Sequence, residues 1–101
     1  MHGYPTSSFD YLKVLPELSK HYRVIIDDLL GFGFSDKPYS FTYSLIDDAD
    51  FALQLWHKMG LKEVTISAQN YGTFVAKEIL VRKNHNLIPI KIKEFIDVIV
   101  V

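Results

Sequence analysis

Residues 63–73, Glu-Val-Thr-Ile-Ser-Ala-Gln-Asn-Tyr-Gly-Thr, constrain the fold more than any other stretch of the chain. Val64 and Ile66 alternate with Thr65 and Ser67 at strand period, and from Tyr71 onward the apolar spacing turns helical. Ala68 and Gly72 stand two places either side of Asn70. A strand that turns sharply into a helix needs small residues at those flanks, and the turn lifts its apex side chain clear of the sheet. The spacing predicts a nucleophile-elbow shape with Asn70 at the apex. An amide is a poor nucleophile at neutral pH, so the apex holds a group that cannot attack a substrate.

The other elements follow from periodicity and punctuation. Thr6, Ser7 or Ser8 caps a helix over residues 9–20 whose stripe is Tyr11, Val14, Leu15 and Leu18. Pro16 sits inside that stripe and removes a donor, so a kink or two short pieces are expected. Residues 22–27, Tyr-Arg-Val-Ile-Ile-Asp, are β-branched and predict the first strand. A helix over residues 44–59 carries Leu45, Ala49, Ala52, Leu53 and Trp56 on one face and stops at Gly60. The helix after the elbow runs over residues 71–83, with Phe74, Val75, Ile79 and Leu80 as its buried set. Residues 84–89 form a loop. Residues 90–101 close the chain, and their last part reads as a strand buried on both faces. Alternating helices and strands give an α/β fold with a small parallel sheet in two or three layers, of about three strands and three helices.

Composition narrows the function classes. A chain of 101 residues, 49% apolar, suits a single domain over residues 1–101. The net charge of −1 comes from interspersed charges, which argues against a nucleic-acid groove or a membrane surface as partner. No apolar run approaches the ~18 residues of a membrane span, and Met1–Pro5 lacks the basic and apolar regions of a signal peptide. With no cysteine, a disulfide scaffold is excluded and a cytoplasmic location is expected.

Several motifs carry competing readings. Gly31 and Gly33 follow the predicted strand, as in a phosphate-binding loop, but the third glycine is missing and no helix opens directly. Glycines serving a tight surface turn with positive φ fit better. Asp27–Asp28 and the Asp47, Asp48, Asp50 group are conceivable carboxylate sites, but helix N-termini favour negative charge without a ligand. The four histidines, His2, His21, His57 and His85, have no i, i+4 zinc spacing, and each suits a surface or packing role. No metal or cofactor is expected. Phe32, Phe34, Tyr39, Phe41 and Tyr43 either line a ligand cleft or fold over their own loop.

Three motifs in order, His2-Gly-Tyr-Pro-Thr-Ser-Ser-Phe9, Asp28-Leu-Leu-Gly-Phe-Gly-Phe-Ser-Asp-Lys-Pro38 and Gln69-Asn-Tyr-Gly72, resemble the haloalkane dehalogenase and epoxide hydrolase branch of the α/β-hydrolase fold. The resemblance marks His2, Gly3 and Pro5, then Gly31, Gly33 and Asp36, then Gly72, as its motif turns. It implies an aspartate nucleophile at position 70, usually preceded by histidine; Asn70 and Gln69 stand here instead. It also implies an oxyanion hole built from the backbone amides of Tyr4 and Tyr71. The family's further acid, catalytic histidine and lid lie beyond the matched segment.

The resemblance further implies a truncated or engineered hydrolase core, its N-terminal half, vestigial at Asn70 and most consistent with a non-catalytic chain. The strand that this fold places between residues 23–27 and 64–68 would precede Met1. Either the neighbours close into a three-stranded sheet, or another chain fills the open edge by strand addition or swapping, giving a homo-oligomer with the strand near residues 98–101 as contributor. Glu94 and Asp97 would oppose that association. The alternatives are a residual hydrolase using Ser67 or a neighbouring chain's group, and a binding module for a small apolar ligand.

Overall fold

A computed structural model describes residues 1–4 and 6–98. A 3-10 helix at Ser8–Tyr11 precedes α1 (Leu15–Leu18), α2 (Leu45–Lys58), β1 (Glu63–Gln69), α3 (Tyr71–Asn84) and β2 (Lys91–Val98). β1 and β2 pair in parallel with α3 as their crossover. α3 lies against both strands and α2 lies against α3. The core gathers Ala49, Ala52 and Trp56 of α2, Ile66 and Ala68 of β1, Val75, Ala76 and Ile79 of α3, and Ile90.

Local chemistry sets most boundaries. Ser44 caps α2 by accepting from the Asp47 amide, and Gly60 follows its end with φ 72°. Pro16 is accommodated in the first turn of α1, so the expected broken helix forms as two short pieces, the first capped by Ser7. The stripe assigned to those pieces is not buried. Val14 and Leu18 are exposed and no residue of either piece is buried, because four-residue pieces give the stripe no continuous face to press on a core.

Three further expectations are corrected. Residues 22–27 form no ladder, and the described sheet has two strands rather than three. A β-branched run becomes a strand only beside a neighbour that supplies hydrogen bonds. Beside β1, among the described residues, stands the backbone of Met1, whose nitrogen donates to Ser67 O at 2.7 Å and whose carbonyl accepts from Gln69 N at 3.2 Å. Burial lowers the affinity of that Met1 nitrogen for its proton, and the Asp27 charge opposes the lowering.

Phe74 is exposed. α3 turns Gly72, Thr73, Val75, Ala76 and Ile79 inward instead, since small residues permit the close approach this helix makes. Over residues 91–97, β2 is half open. Lys91, Lys93, Glu94, Ile96 and Asp97 are exposed while Ile92 and Phe95 reach the core, an inside spacing of three created by a register shift opposite Val64/Thr65. Residues 99–101 of the expected strand lie outside the described residues.

Candidate functional site

The elbow forms as its sequence predicts. Asn70 ends β1 with φ 52° and ψ −124°, a conformation that costs a non-glycine residue about 1–3 kcal/mol and persists only where neighbours enforce it. The enforcing neighbour is the turn at residues 1–4. A Cβ on Gly72 would come within 2.5 Å of the His2 carbonyl oxygen and 2.6 Å of that of Met1, and a Cβ on Gly3 within 2.6 Å of Asn70 Cβ. Two glycines 69 positions apart thus let the His-Gly turn and the elbow helix interlock.

That contact aims one backbone amide at the apex. The Tyr4 N–H donates to Asn70 Oδ1 at 3.0 Å, while the Asn70 side chain makes no capping bond to its own helix. Tyr71 is the first residue of α3, where an amide has no partner within the helix. The two positions carried over as oxyanion donors therefore flank Asn70, and the Tyr4 donor is engaged by the amide oxygen of the apex itself. Gln69 turns to the other side, its Nε2 donating to Asp10 Oδ2 at 2.8 Å, an oxygen that also accepts from the Thr6 hydroxyl at 2.5 Å. These residues border an open cavity of about 750 Å³ that reaches Lys77 and Asp97. Ser67 lies within β1 near the Tyr11 hydroxyl rather than at the apex. Burial first, and the Asp10 charge second, push the Tyr11 phenol up to about 12.

His2 is fully buried and structural. Its Nδ1 meets the Gly3 carbonyl at 2.8 Å, so Nδ1 donates, and Nε2 accepts from the Leu29 amide at 2.9 Å. The two partners fix the Nδ1–H tautomer and fasten the start of the Gly-x-Gly loop to the His-Gly turn. The other three histidines are exposed. Pro5 lies outside the described residues.

The Gly-x-Gly loop binds its own carboxylate. Asp28 accepts from the Ser8 amide at 2.7 Å and the Phe34 amide at 2.9 Å, its carbonyl accepts from the Ser35 hydroxyl at 2.6 Å, and Gly31 N–H reaches the Asp36 carbonyl at 2.9 Å. Gly31 and Gly33 both have positive φ, and a Cβ at Gly33 would collide with the Asp28 carboxylate. The Ser8 amide first of all holds the Asp28 carboxyl below its ordinary range, against the cost of burial, and the Phe34 amide adds to the lowering. An anion cradle exists here, and an internal side chain occupies it.

Of the Asp47, Asp48 and Asp50 group, Asp48 is the buried member, because its i, i+4, i+8 spacing with Ala52 and Trp56 places it on the buried stripe of α2. It is 2% exposed, Oδ2 accepts from the Tyr71 hydroxyl at 2.8 Å, and Oδ1 has no partner among the described residues. Desolvation raises its carboxyl, with the Tyr71 hydrogen bond opposing and Asp47 adding to the rise. The same pair holds the Tyr71 phenol high, by burial first and the hydrogen bond to Asp48 second. Among the described residues no group of three or more histidine, aspartate or glutamate side chains is placed to hold a metal ion, and no helix is long and apolar enough to cross a membrane.

The fold agrees with comparisons to known proteins. The family model for the alpha/beta hydrolase fold matches residues 1–96, and the chain belongs to that family. It is 40% identical over 89 residues to the mesoderm-specific transcript protein of Mus musculus, covering 85% of this chain and 27% of that protein. A putative hydrolase, LipZ, of Mycobacterium tuberculosis is 37% identical over 93 residues, covering 92% of this chain and 32% of that one. Among solved structures, a haloalkane dehalogenase loop variant from Bradyrhizobium elkanii superposes with a TM-score of 0.82 at 29% identity, over 95% of this chain and 30% of that chain. A putative epoxide hydrolase from Pseudomonas aeruginosa superposes at 0.83 with 21% identity, over 100% of this chain and 33% of that chain, which is a likeness of fold. The chain spans about a third or less of the length of these relatives.

Proposed function

We propose that this chain is an α/β-hydrolase core segment without hydrolytic activity of its own, in which the elbow holds rather than attacks. The hydrogen bond from Tyr4 N–H to Asn70 Oδ1 carries the reading. It places a non-nucleophilic amide where the family's attacking group would stand and spends an oxyanion donor on it. Among the described residues no histidine borders the elbow cavity to act as a base, and His2, the nearest in sequence to the proposed oxyanion turn, has both ring nitrogens engaged. The test is turnover of aryl esters and haloalkanes by the chain and by Asn70→Ala. Equal, background-level rates are expected; a rate that falls with Asn70→Ala overturns the proposal. In Asn70→Asp combined with Gln69→His, intact mass is expected to show at most a trapped alkyl ester, and sustained alcohol release would contradict the absence of a base.

The open sheet supports a second reading, self-association. β1 pairs with β2 along one edge, and on its other edge, among the described residues, only Met1 bonds to it. Such an edge accepts an added strand. Lys93, Glu94 and Asp97 guard β2, which makes the β1 edge the favoured site. Light scattering is expected to show a dimer or larger species, and a monomer at every concentration would overturn this reading.

A further inference from the structure

Beside the elbow, and separate from its cavity, lies an aromatic cleft of about 400 Å³ lined by Tyr4, Gly31, Phe32, Tyr43 and Tyr71. The rings of Tyr4 and Phe32 stand at 90° with centroids 5.9 Å apart, forming a corner, and Phe32 faces Tyr71 at 6.4 Å and 38°. Gly31 is required there, since a Cβ would run into the Tyr43 ring. No lysine or arginine lines the cleft. Behind its wall, one hydroxyl away, sits the Asp48 carboxylate, bound to Tyr71 through Oδ2 and, among the described residues, unpartnered at Oδ1.

We propose that this cleft is a binding site for a small organic cation of the quaternary or tertiary ammonium class, held by the rings of Tyr4, Phe32, Tyr43 and Tyr71 and by the field of Asp48. The argument is charge complementarity. Aromatic faces attract an alkylated cation without needing hydrogen bonds, which suits a wall whose main polar atom, the Tyr71 hydroxyl, already donates to Asp48. A carboxylate shielded from water and bonded at only one oxygen among the described residues gains from a cation placed beyond the Tyr71 ring, through low-dielectric surroundings. A neutral apolar guest would gain from the rings but not from Asp48, and an anion would be repelled. Asn70 takes no part, so the proposal stands or falls apart from the absence of hydrolysis.

The test compares tetramethylammonium chloride with tert-butanol, an uncharged molecule of nearly the same shape, titrated into the chain at constant ionic strength and followed by NMR of the aromatic side chains. The ammonium ion is expected to shift the rings of Tyr4, Phe32, Tyr43 and Tyr71 and to bind roughly tenfold tighter than tert-butanol. Asp48→Asn keeps an acceptor for the Tyr71 hydroxyl and is expected to weaken the ammonium about tenfold while leaving tert-butanol unchanged. Phe32→Leu, which leaves Asp48 in place, is expected to weaken it several-fold, so the proposal remains testable even if Asp48→Asn fails to fold. Equal affinity for the two probes, shifts confined to other residues, or no binding at all would overturn it.

Discussion

The interlocked corner of residues 1–4 with 69–73 is mostly polar and glycine, and the outlying stretch at residues 8–27 is rich in apolar side chains, yet it is the corner that is buried. In the corner, His2, Gly3, Gly72 and Thr73 are buried, and Asn70 is held in a conformation it would not adopt alone. In the outlying stretch, Phe9, Leu12, Val14, Leu18 and Tyr22 are exposed, and helix survives as two four-residue pieces. Hydrophobicity does not separate the two. What separates them is close backbone approach: small residues let the corner exchange hydrogen bonds across 66 positions, whereas the outlying run lacks a neighbouring strand to lie against.

If that account is right, the largest effect falls on Gly72→Ala. The added methyl meets backbone atoms of Met1 and His2 that cannot turn away, and the expected loss is about 3 kcal/mol in urea unfolding. Tolerance of that change would break the comparison, because it would mean the corner is loose.

Next come the two aspartates that flank the corner with opposite electrostatics. Asp28, with two amide donors, has its carboxyl lowered, so its contribution is present above the usual carboxylate value of 3.8 and is lost as pH falls below it. Asp48, buried with one donor, has its carboxyl raised. The folded state then binds the extra proton, and stability declines as pH rises above the same value. Asp28→Asn is expected to cost about 1–2 kcal/mol at neutral pH and to flatten the acid limb of the stability profile. Asp48→Asn is expected to change neutral stability by less than about 1 kcal/mol, or raise it, and to remove the decline at higher pH. Profiles with the two signs exchanged would refute the assignment.

The smallest effect is expected at Leu18→Ala in the outlying stretch, within about 0.5 kcal/mol. A loss comparable to that of Gly72→Ala would show that this stretch is covered by a partner in solution.

Legibility in the sequence followed the range of the interaction. The elbow, the cap at Ser44, the stop at Gly60 and the interruption at Pro16 are local, and each was readable within a few residues. On α3 the helical period places Val75 and Ile79 inside, as they are, whereas Phe74 is exposed because the approach to the His-Gly turn selects Gly72, Thr73 and Ala76. Asp48 carried a signal in its spacing with Ala52 and Trp56, overshadowed by the ordinary preference of acidic residues for helix starts. Nothing local distinguishes His2 as buried, since its partner Leu29 is 27 positions away.

The order of the three motifs by itself determined the family and the chemistry denied to the apex, because residue type at a strained turn is a local requirement. Only the tertiary structure decided that Tyr4 donates to Asn70, that Asp28 fills its own loop, that Asp48 stands behind an aromatic cleft and that residues 22–27 remain unpaired. Those outcomes depend on which backbone groups and charges meet across the chain, and neither spacing nor composition records such meetings.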